Sequence, residues 1–136
     1  MTPTKEDYIS SIFKQIEDKG HATNIALSKY LGVSKPSVTE MVRRLKEEGY
    51  VYSEGRKLLL TEKGMDLGKK NVSIHRLWER FLKLELQYGD EDVHREADLL
   101  EHATSDKLLD AMNAYLGYPK TCPHGGRIYI NENIKN

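Results

Sequence analysis

Between His75 and His102, six side chains with metal-ligand chemistry fall at helical spacing: His75 and Glu79 four residues apart, then His94, Asp98, Glu101 and His102. An α-helix turns about 100° per residue, so spacings of three and four put such groups on one face, where their oxygens and nitrogens converge. Transition metals such as Mn²⁺ and Fe²⁺ accept mixed carboxylate and imidazole shells, and two facing helices can supply most of one. A single pair such as His75 and Glu79 reads more readily as exposed polarity on a long helix; the signal is the concentration of ligands. Cys122 and His124 add to it, because a Cys-Pro-His-Gly-Gly loop presents a thiolate and an imidazole two residues apart. Asp7 is the remaining candidate, although locally it serves as a favourable charge near a helix amino terminus.

The elements that position these groups are mostly helical. Tyr8, Ile9, Ile12, Phe13 and Ile16 make Lys5 to Glu17 an amphipathic helix that Gly20 ends. Asn24 offers an N-cap to a short helix from Ile25 to Tyr30, stopped by Leu31, Gly32 and Val33. Ser34 caps a third helix with Pro36 in its first turn and Val38, Met41, Val42 and Leu45 as its apolar stripe. After Gly49, Tyr50 to Ser53 and Lys57 to Leu60 predict two strands joined by Glu54, Gly55 and Arg56. A long helix then runs from Thr61 to about Leu86 and breaks at Gly89 and Asp90. Two further helices are predicted over Glu91 to His102 and Ser105 to Leu116, the latter capped by Thr104 or Ser105. Beyond Tyr118 the chain reads as loop, with a frayed polar tail from Asn131.

Two helices joined by the tight Leu31-Gly32-Val33 turn and followed by a hairpin fit a winged helix-turn-helix, whose second helix enters a major groove. Ser34, Ser37 and Thr39 are small enough to approach phosphates or base edges, next to Pro36, while Lys35, Arg43 and the wing residues Arg56 and Lys57 would meet phosphate. Each of these has a plainer reading as a cap or a solvated charge; the order of the parts favours double-stranded DNA.

The chain has 136 residues and no net charge, but residues 1 to 70 carry 13 Lys+Arg against 10 Asp+Glu, and residues 71 to 136 carry 8 against 11. A basic first half suits a polyanion and an acidic second half suits cations. We therefore expect a mainly α, oligomeric protein: a winged helix-turn-helix DNA-binding domain over 1–70, then an all-helical metal-binding domain over 71–136. One cysteine cannot form an internal disulfide, and nothing marks export or a membrane span, so the expected compartment is the cytoplasm.

Asp7-Tyr8, Ser37-Val38-Thr39-Glu40-Met41-Val42, Leu60-Thr61-Glu62-Lys63-Gly64, His75-Arg76-Leu77, and Glu101-His102 near Ser105-Asp106 resemble, in order and over nearly the whole chain, the diphtheria toxin repressor family. The similarity is to its manganese-responsive branch. The resemblance implies a homodimeric repressor that binds operators of metal-uptake genes when Mn²⁺ or Fe²⁺ is abundant. It implies two metal sites per subunit, a primary one at Asp7, Asp98, Glu101 and His102 and a second at His75, Glu79 and His94. A metal shared by Asp7 and the later ligands would fix the spacing of the two recognition helices. Iron-sensing members tend to have Met and Cys where this chain has Asp7 and Asp98, and these carboxylates favour Mn²⁺. Members with a paired manganese centre have Glu where this chain has Ser10. Streptococcal-type relatives use a Cys and a His from a loop like that of Cys122 and His124; which site the pair completes is open. Many relatives continue into an SH3-like third domain, which is not expected here.

Two competing functions differ in class. A winged-helix regulator not controlled by metal would leave the His and carboxylate groups as surface polarity. A metal-dependent hydrolase using Glu79 or Glu101 as base lacks an HExxH pattern or a Gly-rich phosphate loop. No enzymatic activity and no small organic substrate are expected.

Overall fold

The computed structural model describes residues 3–134 and is mainly helical: α1 (Lys5–Lys19), α2 (Asn24–Leu31), α3 (Lys35–Glu47), a hairpin of β1 (Val51–Glu54) and β2 (Lys57–Leu60), α4 (Glu62–Leu84), α5 (Asp90–Glu101), α6 (Asp106–Tyr115) and a 3₁₀ turn over Tyr129–Asn131. It divides into two compact units between Gly68 and Lys69, within α4. Among the described residues, no helix is long and apolar enough to cross a membrane.

In the first unit, the buried stripe Tyr8, Ile9, Ile12 and Phe13 of α1 shares a core with Leu27 of α2 and Val38, Val42 and Leu45 of α3. Thr4 and Asp7 close a reciprocal capping box on α1, which satisfies two amides that the helix leaves unpaired. The cap of α2 is Thr23, not Asn24: the Thr23 hydroxyl accepts from the Ala26 amide while its own amide donates to Gln15 Oε1, fixing the chain one residue earlier than expected. Gly32 ends α2 at φ 66°, the left-handed conformation that favours glycine, and Ser34 then caps α3 by accepting from Ser37 N. The hairpin pairs Val51 with Leu60 and Glu54 with Lys57, so only Gly55 and Arg56 form its turn. Ala22 exchanges both backbone hydrogen bonds with Leu58, at 2.9 and 2.8 Å, and ties the wing to the segment before α2.

The second unit is built on α4. Ile74, Leu77, Trp78 and Leu82 face Val93 and Ala97 of α5, Leu109 and Met112 of α6, and Ile128. The helix stops at Leu84 rather than near Leu86, and Gly89 is the N-cap of α5, which begins at Asp90. Ser105 caps α6; Thr104 instead donates to Leu100 O and accepts from the Trp78 indole at 2.7 Å. The expected frayed tail is a correction. Asn131 is fully buried, its amide paired reciprocally with Asn113 at 2.9 and 2.7 Å and donating to Pro119 O at 2.9 Å. Buried amides must find partners, and this pairing anchors the chain after α6 as far as residue 134. Residues 135 and 136 of that tail lie outside the described residues.

Gly64, in the first turns of α4, has no room for a side chain: a Cβ there would lie 2.2 Å from the Tyr50 carbonyl oxygen, which the Thr61 amide holds. Gly64→Ala gains about 1 kcal/mol of helix propensity, but overpacking against backbone costs typically about 1–3 kcal/mol. The thermal midpoint of Gly64→Ala should fall below that of the wild type; an equal or higher midpoint would contradict the packing described.

Candidate metal centre and nucleic-acid interface

α4 presents His75 and Glu79 one turn apart and inward, 3% and 7% exposed, where a carboxylate and an imidazole need partners to offset lost hydration. His75 Nε2 lies 3.4 Å from Glu79 Oε1 and 3.2 Å from His94 Nδ1 of α5. The opposite nitrogen, Nδ1, lies 3.3 Å from Asp98 Oδ1 and 3.1 Å from Glu101 Oε1. One imidazole thus faces both ligand sets of α5. The His75 and His94 rings meet edge to face with centroids 4.9 Å apart. Burial raises the pKa of Glu79, but hydrogen bonding to His75 and the charges of His75, His94 and His124 outweigh it and hold the carboxyl below its ordinary range.

Cys122 and His124 arrive from the loop after α6. The Cys122 amide donates to Gly126 O at 2.8 Å, and the Gly126 amide donates back to Cys122 Sγ at 3.2 Å. Thr121 and Arg127 close the loop as an antiparallel bridge, and α4 holds it through Arg80, which donates to Thr121 O at 3.0 Å, and Arg76, which donates to Arg127 O at 2.8 Å. This brings His124 Nδ1 within 3.7 Å of Glu79 Oε2. The loop therefore meets Glu79, a residue of the second expected set. His124 Nε2 faces Asp90 Oδ1 at 3.6 Å; Lys83, at 2.5 Å from that oxygen, holds the Asp90 carboxyl below its ordinary range, and His124 adds to the effect.

Among the described residues, three triads have ligand atoms all within 4.8 Å of one another: His75, Glu79 and His94; Glu79, Cys122 and His124; and His75, Asp98 and Glu101. His102 follows the last residue of α5 as its C-cap, is exposed and belongs to none of the three. Asp7 lies in the first turn of α1, where its carboxylate accepts from Thr4 N at 2.8 Å. The donor set, carboxylate and imidazole with one thiolate, fits a divalent transition metal. Sequence reasoning had missed Arg76, Arg80, Lys83 and Asp90, whose roles depend on where an aperiodic loop lands; only Asp90 carried a signal, as an acid in the first turn of α5.

Every residue expected at the DNA is exposed: Ser34, Lys35, Pro36, Ser37, Thr39 and Arg43 on or at the start of α3, and Arg56 and Lys57 at the wing tip. Thr39 Oγ1 donates to Lys35 O at 3.1 Å. Arg43 is already engaged, donating to both Glu40 oxygens at 3.1 and 2.5 Å and to Glu47 at 2.5 Å.

A winged helix-turn-helix followed by a helical unit with a buried His and carboxylate centre defines a metal-responsive DNA-binding regulator. Residues 1–59 match the iron dependent repressor, N-terminal DNA binding domain, and residues 61–130 match the iron dependent repressor, metal binding and dimerisation domain. The chain belongs to this family of metal-dependent transcriptional repressors, which are regulators and not enzymes. It is 38% identical over 118 residues to the HTH-type transcriptional regulator MntR of Geobacillus kaustophilus (strain HTA426), spanning 86% of this chain and 83% of that one. With MntR of Bacillus subtilis (strain 168) it shares 36% over 118 residues, 86% of this chain and 82% of the relative. Of solved structures, the manganese regulator SloR superposes with a TM-score of 0.82 at 40% identity, over 94% of this chain and 60% of that one. A manganese-dependent transcriptional repressor in complex with manganese gives 0.85 at 37% identity, over 92% and 58%. The chain spans about three-fifths of the length of these two solved relatives.

Glu79 belongs to two triads and Cys122 to one, which separates their substitutions. Glu79→Gln keeps the buried volume and removes a charge common to both triads, whereas Cys122→Ser changes a ligand of one, so Glu79→Gln should weaken Mn²⁺ binding more than Cys122→Ser in calorimetric titrations; an equal or smaller loss in Glu79→Gln would contradict the sharing.

Proposed function

We propose that this chain is a manganese-activated, sequence-specific repressor that acts as a homodimer on a double-stranded operator of metal-uptake genes, with Fe²⁺ as the alternative effector. The observation that carries the reading is the convergence of three ligand triads on the buried pair His75 and Glu79, in a chain whose other unit is a winged helix-turn-helix. Such a pair is held at a cost unless something compensates it, and a bound cation does so directly.

Because His75 and Glu79 each serve two triads, the three sets are not three independent sites, and we assign two ions per subunit. One belongs to Asp98 and Glu101, joined in the family pattern by His102. The other belongs to His75, Glu79 and His94, with Cys122 and His124 entering through Glu79. Carboxylate-rich sets favour manganese, which binds proteins weakly and is selected through geometry and availability. That SloR is a manganese regulator and the other solved relative a manganese-dependent repressor in complex with manganese supports the same effector.

The bound metal supplies the positive charge that lets these carboxylates stay together; the residues themselves set where it binds. For DNA, the exposed hydroxyls and cations of α3 and the wing suit a major groove and its flanking phosphates. For the dimer, Leu84, Leu86, Leu99, Leu108, Tyr115 and Tyr118 are exposed apolar side chains of the second unit, and such surface supports a protein interface. Metal controls repression to the extent that it binds the DNA-competent state more tightly than the alternative.

A gel-shift titration with Mn²⁺ before and after chelation tests this reading. Operator binding should require metal, and Glu101→Ala or His102→Ala should abolish the metal response; affinity that survives chelation would favour a winged-helix regulator not controlled by metal.

Arg43 tests the DNA interface separately. Its ion pairs with Glu40 and Glu47 are exposed and contribute little to folding. Arg43→Ala should therefore fold normally, weaken operator binding and reduce the salt slope by about one; an unaltered slope would remove Arg43 from the phosphate contacts.

A further inference from the structure

We propose that Asp90 is a positioning residue for the triad of Glu79, Cys122 and His124, holding the His124 imidazole in the tautomer that leaves Nδ1 available to a metal. The inference rests on the reading of that triad as a metal site.

The two ring nitrogens of His124 face opposite partners. Nδ1 lies 3.7 Å from Glu79 Oε2, on the side of the triad, and Nε2 lies 3.6 Å from Asp90 Oδ1, away from it. A neutral imidazole that ligates through one nitrogen carries its proton on the other, and the acceptor of that proton fixes both tautomer and ring orientation. His124 needs such an acceptor more than His75 does. His75 is nearly buried and clamped by four side chains, whereas His124 stands in a loop with its side chain 49% exposed.

Asp90 is well placed for the task. It is the first residue of α5, and Lys83 of α4 holds its Oδ1 at 2.5 Å, the same oxygen that faces His124. Two helices thus place the carboxylate within ion-pair distance of Nε2, and at 3.6 Å, beyond hydrogen-bond length, the contact has to tighten as the loop closes on a metal. The rest of the loop has its own restraints: Arg76 and Arg80 hold its backbone, and the Gly126 amide holds Cys122 Sγ. Asp90 is not itself one of the converging ligands, so it acts through His124.

Co²⁺ serves as the probe, because a cysteine thiolate bound to it gives a charge-transfer absorption. The wild-type chain should show this band and Cys122→Ser should lose it. Asp90→Asn should weaken the Co²⁺ affinity read from the band by about 10–100-fold while reaching the same intensity at saturation, and Asp90→Glu should recover most of the loss. With diamagnetic Zn²⁺ bound, ¹⁵N-detected imidazole correlations should place the His124 proton on Nε2 in the wild type and show part of it moved to Nδ1 in Asp90→Asn. Lys83→Met, which loosens Asp90 without touching His124, should give a smaller weakening of the same kind and carries the test if Asp90→Asn does not fold. A band present in the wild type with unchanged affinity and tautomer in Asp90→Asn would overturn the positioning role alone. Absence of the band in the wild type would overturn the metal-site reading and this inference with it.

Discussion

A carboxylate and an imidazole buried one turn apart on α4 are the constraint from which the second unit is organised. Glu79 and His75 have left water, and a charge that does so without compensation is strongly unfavourable. The same helix is committed to the apolar core through Leu77, Trp78 and Leu82, the last two on the flank of the pair, so α4 cannot rotate to return the pair to solvent without exposing that core. Fully burying one such large apolar side chain stabilises by about 1.5–3 kcal/mol, and several are at stake. The partners must come to the pair instead. α5 brings His94, Asp98 and Glu101 on one face while Val93 and Ala97 pack inward, and the loop after α6 brings Cys122 and His124. Asn131 and Asn113, which are not among the ligands, belong to the same scheme, because their buried amide pairing anchors the segment that follows this loop.

What was legible in the sequence was what has a period. The ligands of α4 and α5 are spaced by three and four, so helical geometry alone put them on common faces, and the apolar stripes of α1 and α3 were readable for the same reason. The turn before α3, its Ser34 cap and the hairpin were legible from residue types with specific conformational roles. The destination of Cys122 and His124 was not, because a loop has no period and its landing point is set by groups distant in sequence: Arg76 and Arg80 on α4, the close approach at Gly126, and the Asn131 anchor. The tail reads as frayed for a similar reason, since Asn131 is polar and only a partner 18 residues earlier makes its burial tolerable. The α2 cap shifted to Thr23 through Gln15, a contact between elements that local propensity does not contain.

The electrostatics of the DNA-binding unit bear on how a metal could control it. Its excess of three positive charges is small, and part of the cation on α3 is offset locally, Arg43 being paired with Glu40 and Glu47. Attraction to a polyanion grows with the number of phosphates neutralised, so a recognition helix carrying its own carboxylates gains little from sequence-independent binding. Affinity must then depend more on correct placement of base and phosphate contacts than on the field of the protein. On the proposed reading this makes a modest switch sufficient. Allosteric coupling is typically about 1–3 kcal/mol, or about 5–150-fold in affinity, and such a factor governs occupancy only where the unswitched protein does not already bind DNA through charge alone. The near-neutral composition and the carboxylates of the recognition helix therefore belong to the same design as the metal centre: weak background attraction leaves placement, and hence metal, in control.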